Sequence, residues 1–126
     1  MTIDPPITLA SPSDAVAIAT MSRELIEYGL GWSWRPERVA RAIRNPDTNV
    51  IVARPPLPQP ADELLGFGVM SYADVADEAA HLLLFAVART SQRQGIGTRL
   101  LRWLEDAARA AGVRRIQVEA RRENVA

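Results

Sequence analysis

The sequence predicts an α/β (α+β) fold, one mixed and mostly antiparallel sheet with helices on both faces. Three observations carry that prediction. Short apolar or β-branched runs at residues 49–54, 64–72, 81–88 and 114–120 have the length of strands. Other segments return an apolar residue every three or four positions, the spacing of a helix that buries one face. From residue 81 to 120 an apolar run, a glycine turn, a helical segment and an alternating run follow one another. That order makes a strand–helix–strand unit, whose crossover between parallel strands is right-handed. At 126 residues the chain is one domain, residues 1–126, with enough length for a real core.

Taken in order, residues 7–10 form a short first strand. Ser11 then reads as an N-cap, with Pro12 in the first turn and Asp14 completing a near capping box. Ala15, Ile18, Met21, Leu25 and Tyr28 give the following helix an apolar face, and Gly29 and Gly31 stop it. A second helix starts near Pro36, turns Val39, Ala40 and Ile43 inward, and ends at Asn45-Pro46. Residues 49–54 are a strand. Residues 54–62 hold four prolines, which makes them a stiff, extended surface loop between strands and not a domain boundary. In the strand at 64–72, Phe67 and Val69 share one face while Gly66 and Gly68 leave the other open to close packing. Residues 73–80 are an acidic turn into the central strand, 81–88. The helix after it carries Ile96, Leu100, Leu104, Ala107 and Ala111 on one face, and Gly112 ends it. In the last strand Ile116, Val118 and Ala120 alternate with Arg115, Gln117 and Glu119.

The stretch from His81 to Leu101 points to an anionic ligand. Gly95 and Gly97 permit a tight turn and let a ligand approach bare backbone. The helix that follows begins with unpaired N–H groups and a partial positive charge, which together attract phosphate. Arg89, Arg93, Arg99 and Arg102 add four cations, and no carboxylate lies between Arg89 and Leu104. Two familiar phosphate motifs do not fit. The Walker pattern needs Lys-Ser/Thr where Thr98-Arg99 stands, and the dinucleotide fingerprint needs a small residue where Leu100 stands.

Composition narrows the remaining classes. Hydrophobic content of 48% and charged content of 24% are those of a soluble globular protein. Fifteen basic and fifteen acidic side chains cancel, so nothing global points to nucleic acid or a membrane surface. The absence of cysteine excludes disulfides, thiol catalysis and a thiolate metal site, and a lone histidine argues against zinc. The first residues lack the basic-then-apolar order of a signal peptide, and the run at 82–88 is far too short to span a bilayer. The expected location is the cytoplasm.

Gln92-Arg93-Gln94-Gly95-Ile96-Gly97, preceded by an apolar strand ending in Ala86-Val87, resembles the Q/R-x-x-G-x-G/A motif of the GNAT superfamily of N-acetyltransferases. Residues 116–120 look like that family's next strand, and Asn124-Val125-Ala126 looks like the start of its N-x-x-A segment. The resemblance implies the GNAT acyltransferase fold, in which the two parallel strands splay and the pantetheine arm enters the gap. It also implies acetyl-coenzyme A as co-substrate and transfer of the acetyl group to a primary amine, on a small molecule or a protein N-terminus. Cofactor contacts then fall to Phe85, Ala86 and Val87 on the strand, to Gln92, Arg93, Gln94, Gly95, Ile96, Gly97 and Thr98 in the turn, and to Asn124. The N–H of Val87 matches the position that stabilises charge on the thioester oxygen, where one donor is worth about 2.7–4 kcal/mol.

Glu119 resembles the strand glutamate of the ribosomal-protein alanine N-acetyltransferase branch, which makes it the candidate general base. A solvated charge on a sheet edge fits the same pattern. Glu78 and His81 are fallback bases, although His81 shares a face with Leu83 and Phe85 in simple alternation and so also suits a structural role. Trp32 and Trp34 lie in the connection that flanks the substrate cleft in the resembling family. They either line an acceptor pocket or cap the core.

The tyrosine that usually protonates the leaving thiolate sits on a helix after N-x-x-A, and neither Tyr28 nor Tyr72 matches it by position. The expectation is therefore a domain that is C-terminally incomplete relative to the family. Its last strand is then an exposed edge that favours a homodimer. The competing reading is a noncatalytic acyl-coenzyme A-binding or interaction module, or a fragment of such an enzyme.

Overall fold

Strands form where the apolar runs were read, and they join into a single sheet. The structure, a computed structural model, describes residues 5–55, 63–72 and 78–118. Five strands, β1 (Ile7–Leu9), β2 (Thr48–Ala53), β3 (Gly66–Ser71), β4 (Ala79–Val87) and β5 (Arg115–Val118), lie side by side in chain order. The first three pairings are antiparallel and β4–β5 is parallel. Three helices cover the sheet: α1 (Ala15–Leu25), α2 (Pro36–Arg44) and α3 (Ile96–Ala110).

The alternation of β2 and β3 decides which helix covers which face. Val50, Val52, Phe67 and Val69 pack with Ala15 and Ile18 of α1 and Val39 of α2. Ile51, Ala53 and Met70 face the other way and pack with Ile96, Leu100, Leu104 and Ala108 of α3. Gly66 and Gly68 are what let α3 lie so close. A Cβ on Gly66 would stand 2.9 Å from the Ala86 carbonyl oxygen and 3.0 Å from Leu100 Cδ1, and one on Gly68 would stand 3.1 Å from Leu104 Cδ1.

Several boundaries differ from the sequence expectation for identifiable reasons. Ser11 and Pro12 begin a short 3-10 turn, Pro12–Asp14, and α1 starts only at Ala15. The Ser11 N–H donates to Asp14 Oδ2 at 2.9 Å, and Asp14 is buried against Arg54. Helix α1 ends at Leu25, before Gly29 and Gly31, so Tyr28 leaves the apolar face and is 83% exposed. At the far end of α3, Ala111 is the exposed C-cap and Ala108 takes the buried place. Gly112 has φ +79° and turns the chain there.

The main departure lies in β4. Val69 pairs with Leu84 while Met70 pairs with Leu82, so Leu83 is an extra residue, a β-bulge. Leu82 belongs to the core under α3, yet Leu84 and Ala86 belong to the core under α1 and α2. Simple alternation therefore fails across the bulge. Phe85 and Val87 are turned to the α3 side, and His81 does not share their face as the sequence reading had it. Glu119 and Asn124 lie outside the described residues.

Candidate active site

The anion cradle forms where β4 ends and α3 begins. The Ala88 N–H donates to the Leu65 carbonyl at 2.8 Å, which turns this side of the residue toward β3. Because successive N–H groups of a strand point to opposite edges, those of Phe85 and Val87 point toward the β5 side. The parallel pairing with β5 runs only from Ala79↔Arg115 to Leu82↔Val118, while β4 continues five residues to Val87. Among the described residues, no strand pairs with Phe85 or Val87 on that edge.

Past the strand, Gln92 reaches back and its Nε2 donates to the Val87 carbonyl at 3.2 Å, so the side chain orders the turn. Arg93 and Gly95 both take positive φ, 68° and 79°. Gly95 does so without steric cost and serves as the N-cap of α3. Arg93 carries a cost of roughly 1–3 kcal/mol, the kind of strain found in ligand-binding loops. The N–H groups of Gly95, Ile96, Gly97 and Thr98 find no backbone acceptor among the described residues, and the first helical bond runs from the Arg99 N–H to the Gly95 carbonyl at 3.1 Å. Four N–H groups without a backbone acceptor at the start of a 15-residue helix suit a phosphate or pyrophosphate.

Two sequence expectations about this turn change. Gly97 was expected to spare the turn from strain, but its φ is ordinary and a Cβ there would meet Val87 Cγ2 at 3.5 Å and the Phe85 ring at 3.7 Å. A Cβ would fit there in ordinary van der Waals contact, so the start of α3 against β4 does not itself require a glycine. Arg99 does not join the free cations, because its guanidinium donates to the Pro5 carbonyl. Arg89, Arg93 and Arg102 remain exposed around the cradle.

Beside the gap between β4 and β5 lies an open cleft of about 1230 Å³. One wall is β4 at the bulge, Leu82 to Phe85, continued by Leu101 of α3 and Val118 of β5. The facing wall is the connection between α1 and α2, with Trp32, Ser33 and Trp34, together with Arg38. Trp34 is 9% exposed and belongs to the core, while Trp32 is half-buried, so the tryptophans both close the core and line the cleft. Arg38 lies over Trp34 at 3.9 Å from the ring centroid, and Arg23 and Arg35 lie over Trp32 at 5.1 and 5.0 Å. Phe85 reaches the cleft and Val87 does not. The N–H groups of Phe85 and Val87 both face the gap beside β5, and Phe85 also lines the cleft.

Glu27 was missed by sequence reasoning. It is 2% exposed at the root of the tryptophan connection. Ser33 donates to it through its N–H at 2.9 Å and its hydroxyl at 2.6 Å, the Trp34 N–H donates at 3.2 Å, and the Ser22 hydroxyl at 3.0 Å. Burial alone would push the carboxyl up. The bonds from Ser33, Trp34 and Ser22 outweigh it and hold the group below the usual glutamate range. One buried anion thus fixes the wall that carries both tryptophans. The available signal was a glutamate between two serines beside a tryptophan pair, which no spacing rule picks out.

The other candidates are scattered. Glu78 pairs with Arg114 at 3.2 Å where β4 begins, roughly 30 Å along an extended strand from Val87. His81 lies at the end of the sheet paired with Ser71. Tyr72 accepts from Asn49 Nδ2 at 3.1 Å, and burial holds its phenol above the usual value. Neither tyrosine lines the cleft beside β4.

A mostly antiparallel sheet, a single parallel crossover, a bulged central strand and a bare helix N-terminus beside an open cleft make an α/β fold whose site suits an anionic ligand. The chain belongs to the acetyltransferase (GNAT) family, whose model matches residues 18–126. It is an acyltransferase by family. The fold is similar to that of the paia N-acetyltransferase from Thermoplasma acidophilum in complex with coenzyme A, at a TM-score of 0.76 and 19% identity over 97% of this chain and 82% of that one. It is also similar to a transcriptional regulator from Bacillus halodurans (TM-score 0.71, 18% identity, 94% and 83% covered). A third similar structure is the ribosomal-protein-alanine N-acetyltransferase from Brucella melitensis biovar Abortus (TM-score 0.65, 16% identity, 93% and 80% covered). Comparison with curated protein sequences finds no significant match. Among the described residues, no helix is long and apolar enough to cross a membrane.

Proposed function

We propose that the protein transfers an acetyl group from acetyl-coenzyme A to a primary amine bound in the cleft between β4 and the tryptophan connection. The observation that carries this reading is the adjacency of two features. An anion cradle with four unpaired N–H groups ends the same strand whose bulge walls the cleft. The residues present fit the group, because the cradle supplies donors, exposed arginines and no carboxylate from Arg89 to Leu104. Acetyl-coenzyme A supplies an acyl carbon already activated as a thioester. The remaining roles fall to the chain.

The N–H groups of Gly95 to Thr98 hold the pyrophosphate, each helix-end contribution being about 0.3–1 kcal/mol at an exposed site. The outward N–H groups of Phe85 and Val87 orient the arm in the gap beside β5, and Phe85 donates at the cleft to the oxygen on which charge develops. The attacking amine forms the new C–N bond as the C–S bond breaks, one proton passes from nitrogen to a base, and the departing thiolate takes up a proton from solvent. Glu119 is our candidate for that base, on its resemblance to the strand glutamate of the ribosomal-protein alanine N-acetyltransferase branch. We place the protein in the cytoplasm, and we propose that a second copy pairs with the exposed edge of β5.

Release of free thiol from acetyl-coenzyme A in the presence of an amine panel tests the transfer. Amine-dependent release is expected, and release no faster than hydrolysis without amine would overturn the reading. Thr98→Glu tests the cradle separately. A carboxylate in the first turn favours the helix itself but repels a phosphate, so melting should hold or rise while coenzyme A affinity falls about tenfold. Unchanged affinity would place the cofactor elsewhere.

A further inference from the structure

The polar groups of the cleft are unevenly matched. Its one described carboxylate, Glu27, is saturated by donors from Ser22, Ser33 and Trp34. Arg38 is exposed at the cleft and stacked on Trp34. Among the described residues, no carboxylate or carbonyl accepts from its guanidinium. Stacking fixes the plane of such a group and leaves its edge, with its N–H donors in a fork, free to meet a planar anion. The indole Nε1 of Trp32 is buried without an acceptor, so both unpaired polar groups of this wall are donors. Arg23 and Arg35, the cations over Trp32, line a neighbouring pocket together with Glu24 and not this cleft. The opposite wall, Leu82 to Phe85 with Leu101 and Val118, is apolar.

We infer that the acceptor amine carries a carboxylate, which Arg38 engages, and an apolar or aromatic body, which lies between the tryptophan wall and β4. An amino-acid-like acid fits this cleft. A polyamine or a polycationic amino sugar does not, because the Arg38 guanidinium repels it and the one described carboxylate of the cleft is already saturated. This inference rests on the proposed transfer for its meaning, but its test does not require turnover.

In the presence of coenzyme A, the binding of N-acetylphenylalanine and of its uncharged amide is compared by calorimetry. The acid should bind at least about tenfold more tightly than the amide. Arg38→Gln should bring that ratio toward one, and Arg38→Lys, which keeps the charge, should retain part of it. Because each ratio is taken within one protein, a general loss of stability cannot mimic the result. Equal affinity for acid and amide, or a ratio unaltered in Arg38→Gln, overturns the inference. With turnover, phenylalanine or 6-aminohexanoate should exceed 2-phenylethylamine in kcat/KM, and spermidine should be a poor acceptor. Preference for spermidine would also overturn it. If no amine releases thiol while the acid still binds tenfold better than the amide, transfer fails and the ligand class stands.

Discussion

Glu27 shows how one side chain sets the geometry of a wall it helps to line. Four donors converge on its carboxylate, two of them backbone N–H groups of the tryptophan connection. They hold Ser33 and Trp34 at a fixed distance from the end of α1. Glu27→Gln keeps the volume but turns two acceptor atoms into one acceptor and one donor. The new amide N–H then faces groups that also donate, at a cost of about 1–3 kcal/mol for each group left unmatched. The pH dependence has a definite sign. Glu27 and Asp14 both ionise below their usual values when folded. For Asp14, burial opposes the shift and the bonds from Arg54 and Ser11 outweigh it. Such groups contribute stability that is fully present above the usual carboxylate range and is lost as pH falls through the folded-state value. Melting measured from about pH 7 down to about pH 3 should therefore show a smaller acid-dependent loss in Glu27→Gln than in the parent. The variant should also start from a lower melting point. Parallel curves for the two proteins would mean that the carboxylate carries no net charge effect.

At the scale of elements, the contact of α3 with the sheet depends on what β3 lacks. Gly66 sits 2.9 Å, at the Cβ position, from a main-chain oxygen of β4 that cannot move without breaking the ladder. At Gly68 the nearest neighbour is a Leu104 methyl at 3.1 Å, the end of a flexible side chain. Gly66→Ala should destabilise by about 1–3 kcal/mol, and Gly68→Ala by clearly less, in urea unfolding. Equal losses would show that the β4 backbone yields as easily as a leucine methyl. This glycine pattern was readable in the sequence, because two glycines alternating with Phe67 and Val69 leave one strand face bare. The order of strands, the crossover and the phosphate turn were readable for the same reason, each having a period or a local rule. The bulge was not. Leu82, Leu83, Leu84 and Phe85 are all apolar, so no alternation marks where the faces exchange. Nor was the early end of α1 readable, since the helix stops at Leu25, four residues before the first glycine, where the Ile26 and Glu27 N–H groups both turn to the Ser22 carbonyl. The site divides similarly. The cradle has a motif, whereas the cleft depends on Trp32, Trp34 and Arg38 meeting β4 through tertiary packing alone.

For the molecule as a whole, the sheet is unevenly covered. Its centre is sealed on both faces, but β5 is exposed along its described length, with Ile116 37% and Val118 69% exposed and Leu101 of α3 40% exposed nearby. Among the described residues no strand lies beyond it. An edge of this kind offers unpaired backbone groups beside apolar side chains, which a second strand satisfies at once. Two copies related by a two-fold axis would bring β5 against β5 in antiparallel register and continue the sheet through the dimer. Light scattering over a concentration series spanning about two decades should then show the mass rising from monomer toward dimer, as mass action requires. Ile116→Lys should hold the monomer at every concentration. Because Ile116 is exposed, its folding stability should change by no more than about 0.5 kcal/mol. A parent protein that stays monomeric throughout would mean that the β5 edge is satisfied from within its own chain, and the β5-to-β5 pairing would then be withdrawn.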